Sequence, residues 1–271
     1  MEAASSCSTA TLRRAIVRMD RKKVALLGPG RNRSDRAARF VSECAGLRCI
    51  FLSHVRRSHI PELLDKSGHR GNSAEIGVWL GEFSKQLLHE WPHGGQHLLV
   101  DPYRSFACYR AFDKQCHFNQ SVFEDVRART QARMSMFGQR AVFVRALSAE
   151  AAANVPDASL AFAHVDARHD FDGVMQDLEA WWPKLQPDSV LAGHDWNFRP
   201  PGGAHIKAGE HKLPVWPVAL AVHAFLLGRS SFGCCGQPPE VFITSENPAS
   251  WILPRGCCSS SCAEPVGRLR E

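Results

Sequence analysis

The chain has 271 residues, 44% of them hydrophobic, which is enough for one substantial core with an appended segment. Its net charge of +6 is uneven, because residues 1–60 hold 13 Lys/Arg against 4 Asp/Glu and the remainder is slightly acidic. A basic front end is typical of a solvated arm, or of a segment that contacts nucleic acid, an anionic membrane surface or an acidic partner. The longest apolar stretch, Leu213–Leu227, is short and interrupted by prolines and a histidine, so a membrane-spanning class is excluded.

The N-terminus and the cysteines bear on the compartment. Residues 1–23 lack the apolar core of a secretory signal, so we predict a cytoplasmic protein. The same residues are rich in Ser, Ala and Arg, and an organellar transit segment is the alternative. The C-terminal third holds Cys234, Cys235, Cys257, Cys258 and Cys262, without a CxxC pair, so neither a zinc ribbon nor a redox motif is indicated. Bridges or a soft metal remain alternatives for this tail.

Three regions are predicted along the chain. Residues 1–56 form a basic N-terminal extension, partly disordered or helical, with a strand at Lys22–Leu27, a helix at Asp35–Cys44 and a strand at Arg48–Ser53. Residues 57–255 form the main domain, and residues 256–271 form a Cys/Ser-rich tail.

Within the main domain, short apolar runs alternate with helical patterns. The predicted strands are Ser73–Val78, Gln96–Val100, Ala141–Arg145, Leu160–Val165, Ser189–Ala192, Glu240–Thr244 and Ser250–Leu253. The predicted helices are Pro61–Lys66, Phe83–Glu90, Val122–Gln139, Phe171–Trp182 and Val215–Leu227. This alternation predicts an α/β fold: a doubly wound, mostly parallel, seven-stranded sheet. The last two strands have no helix between them, so we expect an antiparallel C-terminal hairpin at one edge of the sheet.

Ligands of such sheets bind outside the carboxyl ends of the strands, so the residues that follow each strand are the informative ones. The first of these loops runs from Glu75 through Gly77 to Gly81. It has two glycines after an acidic residue, which favours a ligand with an ammonium or sulfonium group over a pyrophosphate. Asp101 ends the second strand, where a carboxylate accepts hydrogen bonds from ribose hydroxyls. Together these residues favour an adenosine-type ligand over plain turns.

The same residues carry a family resemblance. The stretch AEIGVWLGEFSKQLL…LLVDPY resembles motif I and the acidic second-strand loop of class I S-adenosylmethionine-dependent methyltransferases. The stretch SLAFAHVDARHDFDGVMQDLEAWWPKLQPDSVLAGHDW and the ending EVFITSENPASWILPR are similar to a subgroup related to macrocin-type and catechol-type O-methyltransferases. The resemblance covers residues 57–255 and implies a Rossmann-like methyltransferase fold.

The resemblance also implies roles for individual residues. Glu75, Gly77 and Gly81 would line the methionine end of the cofactor, Asp101 would hold the ribose, and Ser148 would lie near the adenine. Asp166, which ends the fourth strand, is expected to border the cofactor as well.

A second constellation comprises Asp166, His194 and Asp195, at the ends of neighbouring strands. Two carboxylates and an imidazole suit Mg²⁺ or another divalent cation, and the related O-methyltransferases use such a metal to bind the acceptor. A hydrogen-bonded His-Asp pair that shapes the pocket is the alternative. His169 is the predicted general base and His194 the second choice. The loop Asn197–Glu210 is either a substrate lid or an ordinary loop.

The resemblance and the loops together predict a methyltransferase that moves the methyl group of S-adenosylmethionine to a small-molecule acceptor, at a hydroxyl. A non-catalytic binding module is one alternative. A nucleic-acid methyltransferase recruited by the basic N-terminus is another, although the amino-methylating loop is absent where VDARHD stands. The oligomeric state is left open.

Overall fold

The computed structural model describes residues 11–16, 18–19, 41–44, 47–106, 117–196, 205–208, 211–214, 217–228, 240–246 and 248–255. The predicted strand at Lys22–Leu27, the five clustered cysteines and the tail at residues 256–271 lie outside these residues. Among the residues that the structure does describe, none belongs to a helix with the length and apolar character needed to cross a bilayer.

Strands and helices alternate through the middle of the chain, as the sequence predicts. The strands are β1 Val41–Cys44, β2 Leu47–Phe51, β3 Gly71–Ile76, β4 Gly94–Val100, β5 Ala141–Val144, β6 Leu160–Val165, β7 Leu185–Gly193, β8 His205–Ala208, β9 His211–Pro214, β10 Glu240–Ile243 and β11 Trp251–Pro254. The helices are α1 (residues 11–16 and 18–19), α2 Ile60–Lys66, α3 Glu82–Glu90, α4 Gln120–Met134, α5 Ser148–Ala153, α6 Phe171–Trp181 and α7 Pro217–Leu227.

Within the described residues, the main sheet has nine strands in the order β1-β2-β10-β11-β7-β6-β3-β4-β5, and β8 pairs with β9 in a separate ribbon. The pairs β2/β10, β7/β6, β6/β3, β3/β4 and β4/β5 are parallel. The pairs β1/β2, β10/β11 and β11/β7 are antiparallel. The mostly parallel sheet and its antiparallel C-terminal hairpin are therefore confirmed, with nine strands instead of the predicted seven.

The two additional strands correct the sequence analysis in two places. Val41–Cys44, predicted as the end of a helix, is a strand because it pairs antiparallel with β2. β2 in turn pairs with β10, so the C-terminal hairpin lies inside the sheet and not at its edge. The sheet thus begins before residue 57, where the main domain was predicted to start. The predicted loop Asn197–Glu210 contains β8, and residues 197–204 lie outside the described residues.

Helices cover both faces of the sheet. On one face, Leu12 of α1, Leu63 of α2 and Phe83 of α3 share a buried cluster with Phe162 of β6. On the other face, α5, α6 and α7 bury a second cluster that includes Ala163 of β6. All six residues of β6 are buried, as expected for a parallel strand covered on both sides. The doubly wound architecture is confirmed by this arrangement.

Gly193 and Trp251 fix the packing of β7 against β11. The two residues are direct cross-strand partners, and Trp251 is fully buried beside the glycine. A Cβ at Gly193 would lie 2.5 Å from Cε2 of Trp251 and 2.7 Å from the carbonyl oxygen of Val165. The glycine therefore provides the space that the indole fills, directly before His194 and Asp195.

We expect Gly193→Ala to lower the free energy of unfolding by about 2 kcal/mol or more, because the added methyl group overlaps backbone and a buried indole. Urea denaturation measures this. The control is Gly228→Ala, whose Cβ would meet no atom closer than 3.3 Å. Equal stability of the two variants would contradict the packing described here.

Candidate functional site

The ends of five parallel strands are aligned by one row of backbone hydrogen bonds. The amide of Asp101 donates to the carbonyl of Val144 (3.2 Å), and that of Gly77 donates to Val100 (2.9 Å). The amide of Asp166 donates to Ile76 (2.7 Å), and that of His194 donates to Val165 (3.2 Å). In each case the first residue of one loop bonds the last residue of the neighbouring strand. The loops of β4, β3, β6 and β7 therefore start side by side.

A cavity of about 680 Å³ opens at these strand ends. Among the residues predicted for the site, those that line it are Glu75, Gly77, Asp101, Ser148, Asp166, His169 and Asp195. Gly81 and His194 are not among the lining residues. The volume lies in the range of ligand pockets, and its walls combine apolar side chains with a few buried charges.

The backbone at Gly77 and at Gly81 requires glycine for local steric reasons. Gly77 has φ +85°, and a Cβ there would lie 2.6 Å from Cα of Ala167, so glycine lets the loops after β3 and β6 touch. Gly81 has φ +67° and precedes α3; a Cβ there would lie 2.9 Å from Cγ2 of Thr130. Both glycines permit close contacts with other parts of the chain. From the sequence they were predicted to line the cofactor, and these internal contacts were not foreseen.

Asp101 holds the loop after β3. Its Oδ2 accepts hydrogen bonds from the amides of Val78 (3.0 Å) and Trp79 (2.9 Å), and its Oδ1 accepts one from the amide of Tyr103 (2.8 Å). Burial raises the pKa of Asp101 in spite of these three donors. Because a carboxylate accepts about four hydrogen bonds, roughly one position remains for a ligand.

Glu75 is a buried carboxyl group at the centre of a polar chain. The hydroxyl of Ser84 hydrogen-bonds Oε2 of Glu75, and Ser84 Oγ lies 2.9 Å from Nε2 of His97. Nδ1 of His97 lies 2.8 Å from Oγ of Ser73. Burial raises the pKa of Glu75 to about 8, so the group is largely neutral at pH 7 until a cation approaches.

His164 of β6 is a buried histidine on the other side of Glu75. Its Nδ1 lies 4.0 Å from Oε1 of Glu75, and its ring stacks on Phe83 with centroids 4.1 Å apart. Burial lowers the pKa of His164 to about 3, so the ring is neutral. A neutral ring leaves the charge of Glu75 uncompensated, which agrees with the raised pKa of that glutamate.

Asp166, His169 and Asp195 converge at the end of the cavity next to β7. Nε2 of His169 lies 3.0 Å from Oδ2 of Asp195 and 3.5 Å from Oδ1 of Asp166. Burial lowers the pKa of His169, but its contacts with the two carboxylates outweigh burial and raise the pKa to about 10. Burial disfavours the charge of Asp195, yet His169 and His194 hold its pKa far below the ordinary value. The free protein therefore holds an imidazolium between two carboxylates.

The predicted metal-ligand set is only partly reproduced. Ligand atoms of Asp166, His169 and Asp195 all lie within 4.8 Å of one another, so His169 completes this group. Nδ1 of His194 lies 3.4 Å from Asp195 and 3.8 Å from Asp166, next to the group but outside the cavity lining. From the sequence, His169 was predicted as the general base. His194 was predicted as a metal ligand and as the second choice of base.

Five charged residues that line the cavity were not predicted, namely Arg57, Glu82, Arg104, Arg168 and Asp177. Arg57 NH1 lies 3.1 Å from Oδ2 of Asp166, although the residues are 109 positions apart, and no local motif marks this pair. Asp177 lies on α6, where a carboxylate among DLEAWW looks like an ordinary solvent-exposed helix position, but it is buried against the cavity. Only the packing of α6 on the sheet identifies it.

Comparison with known proteins places the site within a recognised domain. Residues 74–196 match a family described as "Methyltransferase domain". They cover the end of β3 and all of β4 to β7, the strands whose ends form the cavity. The match agrees with the predicted resemblance to a methyltransferase over these residues, and the relation to O-methyltransferases stays a prediction.

Individual relatives are distant. Over 93 residues the chain is 34% identical to the "Uncharacterized protein y4gI" of Sinorhizobium fredii, covering 34% of this chain and 9% of that protein. A crystal structure from Corynebacterium glutamicum shares the fold at 10% identity, with a TM-score of 0.52 over 95% of this chain and 94% of that chain. An O-methyltransferase of Bacillus cereus, crystallised with S-adenosylhomocysteine, has a TM-score of 0.47 at 14% identity and covers 92% of this chain and 91% of that one.

The raised pKa of Glu75 gives a stability prediction. Since the carboxyl group is neutral in the folded state up to pH about 8 and ionises near its ordinary value when unfolded, stability falls as the pH rises between these values. Glu75→Gln removes this loss, so the variant should exceed wild type by at least about 1 kcal/mol at pH 8 and match it near pH 5. Urea denaturation at both values measures this.

The control is Glu179→Gln, at an exposed position of α6. It should leave the pH dependence of the free energy of unfolding unchanged. A Glu75→Gln variant that gains nothing between pH 5 and pH 8 would show that the carboxylate is already compensated in the folded protein.

Proposed function

We propose that the chain transfers the methyl group of S-adenosylmethionine to a hydroxyl group of a small molecule, a proposal supported by the match of residues 74–196 to a methyltransferase family. The observation that carries this proposal is the convergence of Glu75, Asp101 and the Asp166–His169–Asp195 group on one cavity at the strand ends. The first two residues suit a cofactor with an ammonium group and a ribose. The third set suits an acceptor oxygen placed next to it.

The lining residues fit S-adenosylmethionine in charge as well as in position. Glu75 is a buried, largely neutral carboxyl group that has no cationic partner in direct contact among the described residues, so an ammonium group would stabilise its ionised form. Asp101 keeps about one acceptor position, enough for one ribose hydroxyl. When bound, the cofactor supplies a methyl group that its sulfonium already activates. Catalysis then depends mainly on how the protein positions the acceptor and excludes water.

His169, in its neutral form, is proposed to accept the proton of the acceptor hydroxyl. Because its pKa is raised to about 10, the imidazolium of the free protein first has to release its proton to water, and the fraction of neutral His169 rises with pH. His169 lines the cavity, whereas His194, the second choice, does not. Asp166 and Asp195 fix the orientation of its ring through contacts of 3.5 Å and 3.0 Å. NH1 of Arg57 lies 3.1 Å from Oδ2 of Asp166. Burial disfavours the charge of Asp166, but its contact with His169 holds its pKa below the ordinary value.

A divalent cation is a further component of the proposal. Asp166, Asp195 and His169 present two carboxylate oxygens and one imidazole nitrogen, a donor set that suits Mg²⁺ or Mn²⁺. A cation there would replace the proton of His169 as the charge between the carboxylates and would lower the pKa of the acceptor hydroxyl. His169 would then act as a ligand, and the test of its role has to distinguish the two cases.

We expect wild type to bind S-adenosylmethionine and S-adenosylhomocysteine in titration calorimetry. Asp101→Ala should weaken binding about tenfold or more, because it removes a charged acceptor and releases the loop after β3. Asp172→Ala, at an exposed position of α6, is the control. Absence of binding by wild type would contradict the proposed function. Full binding by Asp101→Ala would contradict only the ribose assignment. Binding without turnover on any hydroxylated acceptor would instead indicate a binding module.

His169→Gln should lower kcat by about a hundredfold or more while leaving the affinity for S-adenosylhomocysteine unchanged, since general-base and positioning effects act on the acceptor. The measurement is a methyl-transfer assay with an active hydroxylated acceptor. EDTA treatment followed by Mg²⁺ or Mn²⁺ distinguishes the roles. Loss and recovery of wild-type activity indicates a cation site, and insensitivity to EDTA indicates proton transfer by His169. An unchanged kcat would remove His169 from the mechanism.

A further inference from the structure

His97 is a buried histidine of β4 that the mechanism above does not use. It is 1% exposed and is not among the residues that line the cavity. Its cross-strand partner in β3 is Ser73, which precedes Glu75 by two positions and therefore lies on the same face of the sheet. Helix α3 covers this face and places Ser84 between His97 and Glu75. A side chain in the protein interior is thus connected to a carboxyl group at the cavity wall.

The hydrogen bonds between these groups all run towards Glu75. Ser84 donates its hydroxyl proton to Oε2 of Glu75, so the 2.9 Å contact between its Oγ and Nε2 of His97 requires Nε2 to donate. Burial, together with the charge of Arg140, lowers the pKa of His97 to about 3, so the ring is neutral and Nδ1 accepts. Its donor is the hydroxyl of Ser73, 2.8 Å away. Three neutral donors in series therefore point towards one carboxyl oxygen.

This chain of donors supports the ionised form of Glu75 without adding a positive charge. Hydrogen bonds in series polarise one another, so a hydroxyl that itself accepts a hydrogen bond is a better donor to a carboxylate. A lysine or arginine in the same place would compensate the charge of Glu75 and repel the ammonium group of a ligand.

The chain also distinguishes the two oxygens of Glu75. Oε2 accepts from Ser84, whereas Oε1 accepts no hydrogen bond from the described residues. Oε1 is nevertheless not among the fully buried atoms that lack a partner, and Glu75 lines the cavity. Oε1 is therefore the oxygen that a ligand in the cavity can reach.

We propose that His97 is a positioning residue for the cofactor: by donating to Ser84 it holds Oε2 of Glu75, so that Oε1 meets the ammonium group of S-adenosylmethionine. This inference rests on the proposed function, because it requires that cofactor in the cavity. His97 acts through Ser84 and Glu75, contacts no reacting atom, and determines how strongly the site prefers a ligand with an ammonium group.

The first test needs no variant. Titration calorimetry compares S-adenosylhomocysteine with its deamino analogue, in which hydrogen replaces the amino group. Wild type should bind S-adenosylhomocysteine about tenfold or more tightly, because only this ligand forms a charge-assisted hydrogen bond with Glu75. Nitrogen NMR of the free protein should show His97 protonated at Nε2 and not at Nδ1. Equal affinity for the two ligands overturns the inference, and so does the opposite tautomer.

Two substitutions at His97 locate the effect. The amide of His97→Asn reaches as far as Nδ1 but not as far as Nε2, so it leaves Ser84 without its donor. The ratio of the two affinities should fall about threefold or more. The longer His97→Gln restores an N–H donor to Ser84 and should keep the ratio within about twofold of wild type. His89→Asn, the same substitution at an exposed position of α3, is the control and should retain the wild-type ratio.

Ser84→Ala removes the same link from its other end. It should lower the ratio at least as far as His97→Asn does, and combining the two substitutions should lower it no further, because both act through one hydrogen bond. Thermal melting checks that each variant is folded. If His97→Asn does not fold, Ser84→Ala measures the same link.

The outcomes separate this inference from the function on which it rests. If wild type binds neither ligand, the proposed function fails. If wild type binds both and His97→Asn weakens both by one factor, the cofactor assignment stands and His97 only supports the core, which overturns the inference. Equal ratios in His97→Asn and His97→Gln also overturn it. A ratio that falls in His97→Asn and Ser84→Ala but not in His97→Gln supports it.

Discussion

The row of backbone hydrogen bonds that joins the ends of β5, β4, β3, β6 and β7 is the constraint on which the site depends. Each bond links the last carbonyl of one strand to the first loop amide of the next, so five strands end at one level. Side chains from distant parts of the chain therefore lie close together although no long loop connects them. Gly77 makes this alignment sterically feasible, since any side chain there would collide with the loop after β6. The chemistry of the site follows from the geometry of the sheet.

The carboxyl groups at this level differ in charge because their neighbours differ. Asp166 contacts Arg57 and His169, and His169 also contacts Asp195, so these two groups are ionised in spite of burial. Glu75 contacts a serine hydroxyl and lies near a neutral histidine, so burial prevails and its pKa rises to about 8. The charges of Asp166 and Asp195 are thus compensated within the protein at one end of the cavity. Glu75, at the other end, is available to interact with a cation. Such a division suits a ligand with its positive charge at one end.

Much of the fold follows from the sequence because its signals are local. The continuous apolar run of β6 identifies a doubly covered parallel strand, and its predicted limits, Leu160–Val165, are those observed. The segment Val41–Cys44 was predicted as the end of a helix, although it pairs with the neighbouring strand β2. The place of this hairpin in the sheet depends on the pairing of β2 with β10, almost 200 residues later, and pairing over that distance leaves no local pattern.

For the site as well, residues that reach it through long-range packing could not be predicted from the sequence. Asp101 and Asp166 directly follow strands, Glu75 is next to last in β3, and His169 lies in the loop after β6, so sequence reasoning finds them. Arg57 and Asp177 reach the cavity from a turn and from the middle of a helix, and only tertiary packing brings them there. Gly81 does not line the cavity, and a Cβ there would lie 2.9 Å from Cγ2 of Thr130. Gly77 lines the cavity and also permits the contact with the loop after β6, so its predicted role at the cofactor stays a prediction.

The strand order also governs how the molecule can associate with itself. Within the described residues, β10 would be open to pairing with another chain if β2 did not occupy its free side. Placing the β1–β2 hairpin there moves the edge of the sheet to β1, while β5 forms the other edge, and each of these strands has only four residues. Short edge strands offer few unpaired backbone groups, which discourages the edge-to-edge association that leads to aggregation. The additional N-terminal strands therefore protect a sheet whose inner strands are strongly apolar.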